Sequence, residues 1–481
     1  MEHTAYVEGL SGLRAEAREL PPTKALAHLA AGLEWGHLDD GAIENARRHL
    51  LDTLGAAIAG ASQAATATVL HVLERAGEDQ SATERLIPGH APTRLGLLNA
   101  AHLMGTAAHG LELDDGFRPG MMHPGCIVIP AILLLAAQLG RNGRETLLAL
   151  VTGYEVACRL TAATHPQARW RGFHPTSSAG VFAAAVAAGK LLNLDAKRME
   201  NAMGIAASSS AGLFTFLDGG DVKRLHGGFG AREGLFAALL AHDGLVGPPN
   251  SLESANGYFH SHAGGDLPAN DYSALDILTA GGPADELLIS HCYLKPYACC
   301  RHLHGPIEML LRLQEQHGFQ ARDIDSIQIG SYAVAVAHGQ VGWSEMTTAQ
   351  LSMPYAVAAA LVRGKVTPTE FAAAERANPE ITGLCQRIST VLDEECESRY
   401  PGLRPARMTV TLNNGRTFKD AVDEPPGEPG RRLNDAAVEA KFGFLATPVI
   451  GEQAVNLVLR QARELEECRD IAALLKLCAV H

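Results

Sequence analysis

The sequence contains few aromatic residues and few cysteines. Phe, Trp and Tyr together make up 5% of the 481 residues, whereas glycine alone occurs 49 times. An excess of small side chains over aromatic ones favours closely packed helices over a large β-sandwich or barrel. The nine cysteines are scattered and odd in number. They therefore indicate free thiols in a reducing compartment and argue against a disulfide framework.

Positive charge and long apolar runs are scarce as well. Lys and Arg number 40 against 53 Asp and Glu, for a net charge of −13. The lack of a basic stripe argues against a nucleic-acid partner. Residues 1–21 are polar and show no secretory signal. The longest apolar run, Cys126–Ala137, is shorter than the ~20 residues that a membrane span needs. We therefore predict a cytoplasmic protein with no membrane partner.

Helical periodicity dominates the first 270 residues. The run Gly180–Leu192 is almost entirely Ala, Val, Gly and Leu, which suits a helix in the middle of a bundle. The predicted helices are Glu44–Gly60, Ile129–Leu139, Glu145–Ala163, Gly180–Leu192, Ala196–Ser208 and Arg232–His242.

Beyond Gly281–Pro283, short β-branched runs alternate with helical stretches. The predicted strands are Ile324–Ser331, Arg387–Leu392, Met408–Leu412 and Arg416–Ala421, and the predicted helices are Gly305–His317, Gln350–Arg363, Asp435–Phe444 and Glu452–Leu475. Pro425–Pro429 is predicted to be a linker. We therefore expect a mainly α protein, with a large all-helical domain built from both chain ends (residues 1–278 and 431–481) and a smaller α+β domain (residues 279–430).

Four segments gather His, Lys, Arg, Asp and Glu, namely His109–Gly125, Gly172–Thr176, Asp221–Gly230 and His291–His304. Each also has a structural interpretation, as a solvated cap or turn or as a histidine that only packs. The third, which we expect just before a helix, lacks the Gly-Lys-Ser/Thr of a phosphate-binding loop. The fourth lacks a Cys-x-x-Cys pair, which argues against a metal. Local positive charge in an acidic protein nevertheless predicts a carboxylate-binding pocket.

These segments carry a family resemblance. Leu-Glu112-Leu-Asp-Asp115 with His123-Pro-Gly, Gly-Phe-His174-Pro, Val-Lys223-Arg-Leu-His226-Gly and Lys295-Pro-Tyr-x-Cys-Cys-Arg301 resemble the MmgE/PrpD family. So does His49-Leu-Leu-Asp-Thr-Leu-Gly-Ala, and the resemblance runs from about residue 25 to 475. That family includes 2-methylcitrate dehydratase, cis-aconitate decarboxylase and iminodisuccinate epimerase. The resemblance is specific for the family and less so for the reaction.

The resemblance implies a helical domain with an α+β lid domain, a homodimer, an active site between the domains, and neither a metal nor an organic cofactor. In decarboxylase-like members the pocket residues match Glu112 (or Asp114), His123, His174, Lys223, Lys295 and Tyr355. This chain differs from those members in two ways. Its loop from Pro119 to His123 is a residue longer, and Gly116 stands where they carry a hydroxyl residue.

We expect His123 and His174 to transfer protons, because the pKa of histidine lies near neutrality. Lys223 and Lys295 would bind and polarise substrate carboxylates. Asp114 or Asp115 would orient or charge a histidine. The further substrate-binding residues are predicted to be Glu112, Asp115, Arg224, His226, Arg301 and Tyr355.

The reaction that we expect is dehydration of a 2-methylcitrate-like hydroxy acid. Epimerisation of an iminodisuccinate-like dicarboxylate and decarboxylation of a cis-aconitate-type substrate are alternatives that use similar groups. A non-catalytic protein that binds a small anion is an alternative of another class.

Overall fold

The computed structural model describes residues 2–76, 84–264 and 286–480. The chain divides into two compact units, and both are interrupted in sequence. Unit 1 comprises Met1–Gly110, Asp114–Tyr293 and Asn434–His481, and unit 2 comprises Leu111–Leu113 and Leu294–Leu433. The predicted domain crossing at Gly281–Pro283 lies outside the described residues. Long helices with one small mixed sheet confirm the expected mainly α class.

Helices build the N-terminal part of unit 1, beside a short antiparallel pair, β1 (Glu84–Arg85) and β2 (Thr93–Arg94). Five of the six helices predicted there are confirmed, with their bounds shifted by a few residues at most. The helices are α1 Glu2–Arg18, α2 Pro22–Gly32, α3 Asp40–Gly60, α4 Ala64–Arg75, α5 Leu97–Ala108, α6 Gly125–Leu139, α7 Gly143–Thr164, α8 Gln167–Trp170, α9 Pro175–Ser178, α10 Gly180–Leu191, α11 Ala196–Ala207 and α12 Val222–His242.

Helix α10 lies in the core of unit 1, as its composition predicts. Its residues from Gly180 to Gly189 are all buried, and Phe182 packs with Tyr258 at a ring-centroid distance of 5.1 Å. Small side chains on every face let α7, α11 and α12 approach it closely. The alanine-rich sequence therefore forms the centre of the bundle.

Helix α12 begins ten residues earlier than predicted, at Val222 in place of Arg232. The glycines that suggested a loop instead permit a close crossing with α5. A Cβ added at Gly227 would lie 2.5 Å from the carbonyl oxygen of Gly105, and one at Gly228 would lie 2.5 Å from that of His102. This crossing fixes the first turns of α12, which carry Lys223, Arg224 and His226.

Unit 2 contains a four-stranded mixed sheet. Its strands are β3 Ile324–Ser331, β4 Ile388–Leu392, β5 Ala406–Leu412 and β6 Thr417–Val422, in the order β4-β3-β5-β6. Strands β3 and β4 are parallel, and the other pairs are antiparallel. All four predicted strands are confirmed. The helices of this unit are α13 His304–His317, α14 Ala333–Ala337, α15 Met346–Ala349, α16 Met353–Arg363, α17 Ala373–Arg376, α18 Pro379–Cys385 and α19 Glu394–Arg399.

The C-terminal helices return to unit 1. They are α20 Asp435–Arg463, which is kinked at Gly451 (φ 80°), and α21 Ala472–Cys478. The predicted continuous helix Glu452–Leu475 is wrong, because a short 3₁₀ turn at Leu465–Glu467 and an extended stretch interrupt it.

Helix α20 also bears on the prediction that no membrane span is present. Within the described ranges it is long and apolar enough to cross a membrane by length and composition, as is the bent pair α3–α4 if taken as one span. Buried core helices pass the same test. In the structure α20 is joined to α3, where Lys441 Nζ lies 2.5 Å from Asp52 Oδ1.

Candidate functional site

Four histidines of unit 1 lie side by side. The rings of His109 and His123 are 5.3 Å apart between centroids, those of His109 and His174 are 6.0 Å apart, and those of His174 and His226 are 4.9 Å apart. His123 and His174 are the two predicted proton-transfer residues, and the fold brings each within ring contact of His109. This histidine cluster is the centre of the candidate site.

Asp114 lies between two of these rings. His109 Nδ1 is 2.6 Å from Asp114 Oδ2, and both side chains are fully buried. His123 Nδ1 lies 3.6 Å from the same carboxylate oxygen and 2.5 Å from the backbone carbonyl oxygen of Asp115. Because a carbonyl only accepts, His123 Nδ1 carries a proton and its Nε2 is the nitrogen left for proton transfer. Asp114 is therefore close enough to orient His109 and His123, and its predicted role in charging a histidine stays a prediction.

His109 is a member of the cluster that the sequence interpretation missed. It caps the C-terminus of α5, and its Nε2 is buried without a hydrogen-bond partner in the part of the chain that the structure describes. Buried polar atoms are normally hydrogen-bonded, so an unpartnered one beside other titratable groups marks a place for a ligand or water. Its position at the start of the first charged segment was the signal available in the sequence.

The segment that carries His174 is held by backbone hydrogen bonds. Residues 172–174 pair with residues 212–214, and His174 N donates to Gly212 O at 3.0 Å. Pro175 starts the short helix α9 and fixes the chain direction after the histidine. The ring of His174 then packs against those of Phe214 and Phe216, at 4.9 and 5.1 Å.

His174 and His226 share a hydrogen bond between their Nδ1 atoms, which are 2.7 Å apart. Burial and then the charges of His226 and His109 lower the pKa of His174 well below its ordinary value. Burial, His109 and Lys223 lower the pKa of His226 to about 4. Both rings are therefore neutral near pH 7. This agrees with the hydrogen bond between them, in which at least one Nδ1 must be unprotonated to accept.

The first turns of α12 supply the cations of unit 1. Lys223 and His226 are three residues apart and so lie on one face of the helix. Lys223 Nζ lies 5.7 Å from the ring centre of Phe216. Both Lys223 and Arg224 are buried. A buried ammonium group beside neutral imidazoles can stabilise negative charge on a bound anion.

Asp115 has surroundings different from those of Asp114. Its Oδ2 accepts hydrogen bonds from Tyr154 Oη at 2.6 Å and His49 Nδ1 at 2.7 Å, and its Oδ1 accepts one from Gly125 N at 2.9 Å. These contacts tie α3, α7 and the start of α6 together. Asp115 is thus placed to position the segment that leads to His123, and the substrate contact predicted for it stays a prediction.

Unit 2 holds the remaining predicted residues. Lys295 Nζ lies 3.6 Å from Glu112 Oε2, and both side chains are buried. Glu112 has a φ of 57°, a left-handed backbone conformation that is uncommon for residues other than glycine and is found at functional sites. Gln350 Nε2 donates to Leu111 O and Ala298 O, each at 2.9 Å. The Glu112–Lys295 pair is thereby fixed within unit 2.

Two residues predicted to bind substrate are engaged elsewhere. Arg301 Nε lies 3.1 Å from Glu428 Oε1, and its Nη1 donates to Pro426 O at 2.7 Å. Tyr355 Oη donates to Glu370 O at 2.6 Å in a fully buried setting. These contacts use each group to hold unit 2 together, and substrate binding by Arg301 and Tyr355 stays a prediction. The sequence could not show this, since the partners lie 15 and more than 120 residues away along the chain.

Metal-ligating atoms also meet in unit 1. Ligand atoms of His109, Asp114 and Cys126 lie within 4.8 Å of one another, and all three residues are buried. The Asp114 carboxylate already accepts from His109, so these atoms form a hydrogen-bonded pair as they stand. The predicted absence of a metal and of an organic cofactor stays a prediction.

The geometry of unit 1 supports proton transfer on an anionic substrate. It offers two neutral imidazoles, those of His174 and His226, together with a carboxylate beside the two other imidazoles and a buried ammonium group. Together these supply a base, an acid and a countercharge, which suffice for reactions at a carbon beside a carboxylate.

Comparisons with known proteins find relatives over nearly the whole chain. Models of the MmgE/PrpD N-terminal and C-terminal domains match residues 24–270 and 297–465. A cis-aconitate decarboxylase-like protein, oryM, of Aspergillus oryzae is 30% identical over 80% of this chain and 83% of its own length. Cis-aconitate decarboxylase of Aspergillus terreus is 26% identical over 95% of each chain. The human cis-aconitate decarboxylase is 28% identical over 94% of this chain and 93% of its own.

Proposed function

The chain belongs to the MmgE/PrpD family, and from this premise we propose that it is a lyase that decarboxylates a small cis-aconitate-like tricarboxylate. The observation that carries the proposal is the similarity, over nearly the whole chain, to relatives named cis-aconitate decarboxylase. Decarboxylation therefore replaces dehydration as the first reaction that we propose. The histidine cluster supports it, because this reaction needs a proton donor and cations and no redox step.

In decarboxylation the carbon–carbon bond to one carboxylate breaks and carbon dioxide leaves. The electron pair of that bond remains on the carbon skeleton, where the double bond and a neighbouring carboxylate spread the charge. A proton delivered to carbon then completes the product. The barrier falls if a cation faces the developing charge and a positioned acid supplies the proton.

We assign these tasks to residues as follows. His123, whose Nδ1 lies 3.6 Å from Asp114 and whose side chain is 14% exposed, delivers the proton. His109 and His174 are further candidates for acid–base roles. The hydrogen bond with His226 orients the ring of His174. Lys223 faces the developing charge, with Arg224 beside it. Lys295, paired with Glu112, is proposed to bind a substrate carboxylate.

Dehydration of a 2-methylcitrate-like hydroxy acid is the second candidate. Gly116 favours it, because decarboxylase-like members carry a hydroxyl residue there. A Cβ added at Gly116 would lie 2.3 Å from Tyr293 Oη, so the tyrosine occupies the space that such a side chain needs. In this reaction a base removes a proton beside a carboxylate and an acid protonates the departing hydroxyl group as water. The imidazoles of the histidine cluster would supply this base and this acid.

A panel of polycarboxylates followed by NMR in deuterium oxide tests these assignments. Carbon dioxide release with deuterium at one carbon of the product supports decarboxylation. An alkene formed without carbon dioxide supports dehydration, and stereochemical scrambling alone supports epimerisation. Binding of substrates without any of these reactions would show a non-catalytic anion-binding protein and would overturn the proposal.

Variants locate the chemistry within unit 1. We expect His123→Gln and Lys223→Met each to lower kcat at least ~100-fold on the substrate found. The matched controls are His242→Gln and Lys197→Met, whose side chains are 45% and 62% exposed. Near-normal kcat in His123→Gln would show that this residue takes no part in the reaction.

We also propose that the enzyme is a cytoplasmic homodimer.

A further inference from the structure

A second cluster of reactive side chains lies in unit 2, outside the proposed acid–base group. It consists of Cys300, His302 and His338, and their ligand atoms all lie within 4.8 Å of one another. The sequence interpretation rejected a metal in the segment around Cys299 and Cys300, because adjacent cysteines chelate poorly. It could not include His338, which is 38 residues farther along the chain.

The histidine rings are oriented as metal ligands usually are. His338 Nδ1 lies 2.7 Å from Leu351 O, so it donates its proton there and turns the lone pair of Nε2 towards Cys300 Sγ, 3.7 Å away. His302 Nδ1 is engaged by Tyr332 Oη at 2.6 Å. In metal sites the ring nitrogen that does not bind the ion is commonly held by an oxygen in this way.

The separation of the donor atoms suits a tetrahedral ion. With a zinc–sulfur bond of about 2.3 Å and a zinc–nitrogen bond of about 2.0 Å, tetrahedral geometry places sulfur and nitrogen about 3.5 Å apart. The observed 3.7 Å between Cys300 Sγ and His338 Nε2 is close to that value. An ion could therefore enter with small movements of side chains.

The charges and the exposure of the cluster allow a cation to bind. The nearby Arg301 and Arg404 both contact the buried carboxylate of Glu428, at 3.1 and 3.3 Å, which offsets one of their two positive charges. Cys300, His302 and His338 are each of intermediate exposure, so none of the three residues is completely enclosed in the core. One thiolate and two imidazoles form a donor set that zinc prefers over magnesium or calcium.

We propose that Cys300, His302 and His338 bind a zinc ion, with the fourth coordination position open to water or a small ligand. The ion would tie the turn at 301–303 to the turn at 338–340 and so stabilise unit 2. This site is separate from the acid–base group, and it holds or fails whatever the reaction of the enzyme is.

Cobalt and zinc titrations of the full chain, after removal of metal with a chelator, test the site. We expect Co²⁺ to produce thiolate-to-cobalt charge-transfer absorption that saturates at about one ion per chain, and Zn²⁺ to displace it. Cys300→Ser should abolish that absorption. His338→Gln should weaken zinc binding at least ~10-fold in competition with a chromophoric chelator.

Matched variants decide where the ion binds. Cys468→Ser, at a partly exposed cysteine of unit 1, and Cys126→Ser, in the other donor group, should both keep the absorption. Circular dichroism of the metal-free variants checks folding. If Cys300→Ser does not fold, His338→Gln and His302→Gln decide in its place. Absence of the absorption in the unmodified chain, its survival in Cys300→Ser, or its loss in Cys126→Ser alone would overturn the proposal.

Discussion

Asp114 and Asp115 are neighbours in sequence but contact different groups, and this difference defines the site at the residue scale. Asp114 faces two imidazoles, whereas the Asp115 carboxylate accepts three hydrogen bonds, from α3, from α7 and from the first residue of α6. The sequence could place both in one motif, because the motif is local. It could not assign their roles, since these depend on partners from α3 and α7.

We expect Asp114→Asn to lower kcat by ~100-fold or more while changing the free energy of unfolding little, because the amide still fits but places no negative charge beside the histidines. Asp115→Asn should instead lower the free energy of unfolding by about 1–3 kcal/mol, since its amide group cannot accept all three hydrogen bonds. Steady-state kinetics and urea denaturation of both variants check this. Equal kcat for Asp114→Asn and the parent enzyme would contradict the assignment.

The burial of His226 predicts a pH dependence of stability. The pKa of His226 falls from 6.5 to about 4 on folding, so between these values the unfolded chain binds more protons than the folded one. The free energy of unfolding should therefore fall as the pH drops from 6.5 towards 4 and stay level above that range. For His226→Gln we expect a weaker dependence of the free energy of unfolding on pH, by the equivalent of up to about one bound proton. Thermal denaturation measured across this pH range checks this. An unchanged slope would show that His226 is not buried in its neutral form.

At the scale of elements, regular periodicity was predictable and close contact was not. All four strands of the sheet and the alanine-rich helix α10 follow from local pattern. The helical first turns of α12 could not be predicted from local pattern, because glycine normally weakens a helix. Only the close approach of α5 explains why glycines stand there. The break in the C-terminal helices at Leu465–Glu467 was likewise hidden in a sequence with continuous helical spacing.

The crossing of α5 and α12 predicts an intolerance to any side chain at Gly227. Gly227→Ala should lower the free energy of unfolding by at least ~2 kcal/mol, because its Cβ would meet backbone atoms that cannot move aside, 2.5 Å away. Gly12→Ala is the control. It lies within α1 with nothing inside 4 Å, and alanine there should be neutral or stabilising. A Gly227→Ala variant as stable as the parent would show that the helices separate easily.

At the scale of the whole molecule, the net charge of −13 conceals buried cations. Composition correctly predicted a helical protein, and the family resemblance identified the candidate site residues. Neither could show that Arg301 forms an ion pair with Glu428 or that His338 contacts Cys300, because both contacts join segments far apart in sequence.

The proposed homodimer yields a prediction about exposed apolar side chains. Val222, Phe229 and Phe236 are spaced seven residues apart on one face of α12, each about two-fifths exposed at 40%, 41% and 41%. We expect the double variant Phe229→Glu with Phe236→Glu to shift the chain from dimer to monomer in light scattering. Phe444→Glu, at a residue 46% exposed on α20, should not. A dimer unaffected by the double variant would place the interface elsewhere.

The path of the chain between the two units restricts how such proteins can be recombined. The chain passes from one unit to the other after Gly110, Leu113, Tyr293 and Leu433, so three residues of the first charged segment belong to unit 2. A chimera that exchanges only residues 294–433 between relatives would join one parent's Lys295 to the other parent's Glu112. Gene shuffling within the family should therefore favour exchanges that carry both pieces together, and a single crossover between them should produce mismatched offspring.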